Sequence, residues 1–194
     1  MRTKSRLATL SFQLVAGREG AVALEFALIF PVMFTLFMGS IEITNLLMAN
    51  LKTTAATEAA SDLLAQTRAT ANTSTKATLD SYNVAADVIM SPFAATPALK
   101  VAFASITFNA AGNPSVAWHY EENGASAITT ASLDTVTLKS LAGAGDSVVM
   151  VKSTYNYTSP ISYLLAHTYT FTDIAYNHPR YVPAVACTNC ATGG

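Results

Sequence analysis

The 194-residue chain is long enough for one modest domain and an accessory segment. It is 51% hydrophobic and 12% charged, with a mean hydropathy of +0.34, a composition that points to a membrane or a dense assembly. The net charge of -1 excludes a broad basic field of the kind that holds nucleic acid, so no nucleic-acid partner is expected.

Charge is unevenly distributed. Arg2, Lys4, Arg6 and Arg18 put four of the eleven basic residues in the first twenty, leaving seven bases against eleven acids beyond. A basic head before an apolar run stays cytoplasmic under the positive-inside rule, which leaves everything after the run outside that compartment. From Phe26 to Ile41, "FALIFPVMFTLFMGSI", no residue is charged. Extended through Glu25 and Glu42 to Ala49, the run is long enough to cross about 30 Å of hydrocarbon. The plain reading is a single-pass anchor. A secretory signal fits less well, because the run exceeds an h-region and no small-x-small site follows it.

The helical pattern continues in "LLMANLKTTAATEAASDLLAQTRA". Leu47, Leu51, Ala55, Ala59 and Leu63 stand in i,i+4 register there. Asn72, Thr73 or Ser74 can cap a short helix carrying Leu79, Val84, Val88 and Ile89, which Ser91-Pro92 ends. After Pro97 the period falls to two. Four strands are predicted, in "LKVAFASITF", "SVAWHYEE", "SVVMVKSTYNYTSP" and "HTYTFTDIAYNHPR", with a Gly- and Ser-rich connection over residues 123–146. The fold class is therefore α+β. A long N-terminal transmembrane helix precedes a small antiparallel β-sheet domain, and the outer half of that helix covers the apolar face of the sheet.

Glu25 stands inside the most apolar part of the chain, where a carboxylate at mid-membrane costs about 2.5–3.5 kcal/mol. One reading has it snorkel at the cytoplasmic edge. The other begins at Gly20, which follows the charged pair Arg18-Glu19. Cleavage after Gly20 would create an amino group on Ala21 and make Glu25 the fifth residue of a helix, about 6 Å along its axis. In a stack of such helices the carboxylate would meet a neighbour's amino terminus. That pairing would offset its desolvation and set the axial register between subunits.

Gly20 followed by "AVALEF" matches the prepilin-peptidase site of type IV pilin-like proteins: glycine, four apolar residues, glutamate, aromatic. The wider stretch from Arg18 to Ala65 resembles the TadE-like family of minor pseudopilins from tight-adherence (Tad/Flp) pilus systems. It has the G-A-x-x-x-E-F-A-L-x-x-P core, a Gly-x-x-Glu pair at Gly39 and Glu42, and an Ala-rich continuation. The rest is similar only in architecture, including the "YNHPR" close at 176–180. The resemblance implies a pilin-like architecture in three parts. These are a basic leader (1–20) removed by a prepilin peptidase, a transmembrane and extended helix (21–70), and an extracytoplasmic domain (71–194) with a four-stranded sheet and a Cys-containing tail.

The resemblance further implies that Gly20 and Ala21 flank the cleaved bond, that Glu25 and Phe26 serve assembly and register, and that Gly39 and Glu42 contact a partner helix. Its implied partners are the prepilin peptidase, other pilins and pseudopilins of the Tad system, the inner-membrane assembly platform and membrane lipid. The implied location is the inner membrane, amino terminus cytoplasmic and C-terminal domain periplasmic, with incorporation into an extracellular pilus. Phe26 stands where the major pilins of such systems tend to carry Tyr, and the chain is far longer than they are, which indicates a minor component. No D-x-S-x-S run suggests the von Willebrand-type metal-binding domain of the largest pseudopilin-like partner. The sister TadF-like group shares the pattern.

Pro31 lacks the N–H that would bond to Ala27, so it should bend or loosen the helix. That would either help the helix leave the bilayer or be a tolerated membrane proline. Glu42 and Asn45 lie about 25 Å beyond Glu25, near the outer interface, where simple solvation also accounts for them. Cys187 and Cys190 are the only cysteines, and in an oxidising compartment a disulfide is the default. So short a loop would add about 2 kcal/mol, to the tail alone. A haem link would need His where Ala191 stands, and a thioredoxin-like site would open a helix. His119, His167 and His178 lack metal-ligand spacing, so no metal is expected. The aromatics of "YNYTS" and "HTYTF" read as strand packing rather than an adhesive face. With no nucleophile elbow or phosphate loop either, no enzyme and no cofactor are expected. The rival readings are an uncleaved single-pass protein with an extracytoplasmic binding or sensor domain, and a membrane-tethered redox protein using the two cysteines.

Overall fold

The computed structural model describes residues 18–68, 73–93, 98–162, 164 and 167–193. Most of the expected leader, and the candidate cap Asn72, lie outside them. Helix α1 (Arg18–Ala65) runs for 48 residues, about 72 Å. It ends at Ala65 rather than 70, where the Ala65 carbonyl accepts the Arg180 N–H at 2.9 Å. Strand β1 (Thr73–Thr75) leads into α2 (Lys76–Met90), followed by β2 (Leu99–Phe108) and β3 (Pro114–Glu122). A short 3-10 turn (Thr130–Ser132) and α3 (Thr135–Leu141) precede β4 (Ser147–Thr158) and β5 (Thr168–Asn177). Two short strands close the chain, β6 (Ala186–Thr188) and β7 (Ala191–Thr192).

The main sheet is antiparallel in the order β5-β4-β2-β3-β7. Its four long strands lie where the alternating segments put them. The fifth, β7, comes from the tail, so the sheet is five-stranded rather than four. Central strand β2 is buried almost throughout, because both faces of the sheet are covered. On one face α1 and α2 pack over Val101, Phe103, Val149 and Val151. On the other, Ile128, Leu133 and Leu138 from the 123–146 connection pack over Ala102, Ile106 and Val148. That connection therefore supplies a second cover, its helix α3 capped by Asp134, whose side chain accepts from the N–H groups of Val136 and Thr137. The Thr137 hydroxyl foremost, together with these bonds, holds the Asp134 carboxyl below its usual range.

The inward face of α1 is not the Leu47–Leu51–Ala55 register. Ala49, Thr53, Ala56, Thr57, Ala60, Ser61 and Leu64 are buried, whereas Leu47 and Leu51 are exposed. Small side chains let the helix approach both the sheet and α2, and Thr53 and Thr57 return their hydroxyls to the carbonyls of Ala49 and Thr53. In α2, Leu79, Ala86 and Met90 point inward while Val84 and Val88 face out. Its cap is Thr75, which accepts the Thr78 N–H at 3.3 Å.

The tail does more than end the chain. β6 pairs in parallel with β1, β7 pairs with β3, and the Val185 carbonyl accepts the Trp118 indole N–H at 2.7 Å. Cys187 and Cys190, at disulfide distance with Cα atoms 5.7 Å apart, lie at the turn between β6 and β7. They staple the turn through which the tail passes from β6 to β7. A Cβ at Gly193 would collide with the Val116 carbonyl, so only glycine lets this end lie against β3.

Packing by small residues predicts an asymmetry along α1. Ala56→Leu should destabilise the head by about 1–3 kcal/mol, while Leu51→Ala should stay within about 0.5 kcal/mol of the native chain. Denaturation of the full chain in detergent, followed by emission from its single, buried Trp118, measures both.

Candidate functional site

Helix α1 has two halves with different surroundings. From Ala21 to Phe34 every residue is exposed, including large apolar ones such as Leu24, Leu28 and Val32. This half contains the one segment among the described residues that is long and apolar enough to cross a membrane, and the head covers none of it. Its aromatics form a row along one face, with Phe26–Phe30 and Phe30–Phe34 centroids 5.7 and 5.8 Å apart. Glu25 lies on this half and pairs with no other described residue. The helix continues without a break through Pro31, whose carbonyl accepts the Thr35 hydroxyl at 2.9 Å. Gly20 and Ala21 lie in the opening turns of α1.

Surroundings change at Gly39, the first buried residue of α1. A Cβ there would stand 2.5 Å from Leu164 Cδ1, so the Leu164 side chain occupies the space that glycine leaves. One turn on, the Glu42 side chain is completely buried. Its Oε1 accepts the Ser159 hydroxyl at 3.1 Å and its Oε2 accepts the Leu164 N–H at 2.8 Å. Ser159 in turn accepts the Ser162 N–H at 3.3 Å. Solvation of Glu42 at an interface is thus corrected: its carboxylate holds the head's own chain, and both Gly39 and Glu42 spend their contacts inside the molecule. Beside it, burial foremost raises the Tyr157 phenol above its usual range, with the Glu42 charge adding to the effect against a lowering bond from Ser159.

The far end of α1 is held separately. Arg180, from the "YNHPR" close, pairs with Asp62, and Asn177 donates to the Ser61 hydroxyl at 3.1 Å. The sequence-selected residues therefore divide. Gly39 and Glu42 meet the head, Glu25, Phe26 and Pro31 stand apart on bare helix, and Cys187 and Cys190 lie at the head's tail. His119 pairs with Glu121, and His178 lies 3.2 Å from the Leu141 carbonyl. No cluster of three potential metal ligands occurs among the described residues. Sequence reasoning missed Ser159 and Leu164. The only signal was an acid in an apolar helix that needed donors, and one of those donors is a backbone N–H that any residue could supply.

Residues 20–62 match the family model described as TadE-like protein. Over those residues the helix is similar to the TadE-like family. The match starts at Gly20 and spans both the bare half and the Gly39–Glu42 transition, but ends before the head begins. Over that stretch the match is consistent with a TadE-like protein of the Tad pilus system, and the one bare apolar helix among the described residues fits a single-pass membrane protein. No curated protein and no solved structure matches the chain.

In the TadE-like helix, Glu42→Ala should leave the Leu164 N–H and Ser159 hydroxyl without their acceptor, at a cost of about 1–3 kcal/mol. Hydrogen exchange should then quicken at the Leu164 amide while β2 amides hold their protection. Glu42→Gln, which keeps one acceptor oxygen, should fall between.

Proposed function

We propose that the chain is a minor pseudopilin that takes part in assembling a Tad/Flp-type adherence pilus. The observation that carries this reading is a coincidence on one helix. The TadE-like match begins at Gly20, and from Ala21 to Phe37 the helix is apolar and uncovered with Glu25 as its one charge.

In this reading the basic leader stays in the cytoplasm and a membrane prepilin peptidase cuts after Gly20, where a side chain would obstruct it. Ala21 becomes the new amino terminus. While the protein waits in the inner membrane, lipid covers the segment from Phe26 to Met38; in the assembly, helices of other pilins replace the lipid. Pro31, with no N–H to hold Ala27, eases that transfer. Glu25 pairs with a neighbouring amino terminus and fixes the axial register, Phe26 packs beside it, and the periplasmic head provides partner specificity. The inner-membrane assembly platform would act on this processed form.

Processing is tested by the intact mass of membrane-extracted protein. Residues 1–20 should be missing, and Gly20→Leu should retain them. A full-length protein in piliated cells would overturn the reading and leave an uncleaved single-pass membrane protein. Assembly is tested by Glu25→Gln, whose side chain is nearly isosteric and cheaper to bury. Cleaved protein should accumulate in membranes while sheared surface pili fall, because losing one partner of a buried pair costs about 3–5 kcal/mol. Normal pili with normal cleavage would remove the register role.

A further inference from the structure

The head contains a small cup on the sheet face opposite α1. It has a volume of about 160 Å³ and is lined by Lys100, Lys152, Thr154 and Thr172, with Gly124 and Ser126 on its wall and Ala102 on its floor. Strand register brings these residues together. Lys100 lies opposite Thr154, Thr154 opposite Thr172, and Lys152 opposite Ala102, so the two lysines are diagonal neighbours on adjacent strands.

Two features set the cup apart from an ordinary polar face. Lys100 and Lys152 are both half-buried, and neither has a hydrogen bond or ion pair among the described residues. The other cations with described side chains each have a hydrogen bond, an ion pair or an aromatic ring as partner. Lys52 donates to the Ile89 carbonyl, Lys139 to Asn113, Arg180 pairs with Asp62, and Lys76 and Arg68 lie over the rings of Tyr120 and Tyr181. The two unpartnered cations are the two that share one cup. Second, no acid lines it. Glu121, beyond Ala102 on β3, is engaged by His119. Like charges on adjacent strands repel each other, and an anion between them would turn that repulsion into attraction.

Beside the cup the same face carries a ladder of hydroxyl and amide groups. Thr154 faces Thr172 at 3.4 Å, Thr170 donates to Asn156 at 3.0 Å, and Thr158 faces Thr168 at 3.1 Å. This strip continues outward from the cup along β4 and β5. The two lysines supply point charges for an anion, and the ladder supplies hydroxyl and amide groups of the kind that bond to sugar hydroxyls.

We infer that this face binds an acidic polysaccharide, with the carboxylate of one uronic-acid residue seated between Lys100 and Lys152 and flanking sugar hydroxyls on the Thr154–Thr172 to Thr158–Thr168 ladder. The inference goes beyond pilus assembly and depends on neither cleavage nor Glu25, so its test leaves that reading untouched.

The test is calorimetric titration of the detergent-solubilised full chain with oligogalacturonate and with a neutral malto-oligosaccharide of equal length. Oligogalacturonate should bind, more weakly as salt is added, and the neutral sugar should not. The double variant Lys100→Gln, Lys152→Gln should bind about tenfold or more weakly, since each loses a charged hydrogen bond, with Trp118 emission unchanged as a check on folding. Thr170→Val, on the ladder but outside the cup, should weaken binding by a smaller factor. No binding by the native chain, equal binding by the double variant, or equal binding of the neutral sugar would overturn the inference. So would displacement by inorganic phosphate at matched concentration, which would reduce the cup to a plain anion site.

Discussion

Everything in this molecule is arranged around apolar surface that its own fold does not cover. Between Ala21 and Phe37 the helix presents large side chains on all sides, and the head meets none of them until Gly39. Burying each such side chain stabilises by about 1.5–3 kcal/mol, so the uncovered set rivals the whole folding stability of a small domain, about 5–15 kcal/mol. Lipid or neighbouring helices must therefore take it up. The head, by contrast, closes on itself: two covered sheet faces, a tail stitched across an edge, and a helix end tied by Arg180. The packing of the head therefore does not depend on what covers the bare half.

The two glutamates of α1 show how the chain divides the work. Glu42 is saturated by donors from the head and fixes the angle at which helix and head meet. Glu25 has no described partner and lies where one from another molecule would be worth most. The Glu42 contacts and the Gly39–Leu164 packing join the bare helix to the head. Leu47 and Leu51, outward on the outer half, extend apolar surface past that joint.

Local signals were readable and long-range ones were not. The long helix, the stop at Ser91-Pro92 and the four long strands follow from period and composition, which act over a few residues. The i,i+4 register of Leu47 and Leu51 shows a helix but not its inward stripe, because close approach to a sheet and a second helix favours Ala56 and Ala60. In α2, Val84 and Val88 likewise stand outside. The donors to Glu42, the β1–β6 pairing and the meeting of Lys100 with Lys152 each join residues far apart in the chain. Their residue types are ordinary where they stand. The tail reads as a loose end in sequence because β7 is only Ala191–Thr192, too short to show a period.

The central claim is that equal exposure in the isolated chain hides unequal surroundings. Leu36 and Leu51 are each 69% exposed. In nanodiscs, which admit reagent from both sides, single substitutions Leu36→Cys and Leu51→Cys should react very differently with a bilayer-impermeant maleimide. The account predicts rapid labelling at Leu51→Cys and little at Leu36→Cys until detergent is added. Equal labelling rates at the two positions before detergent would contradict it.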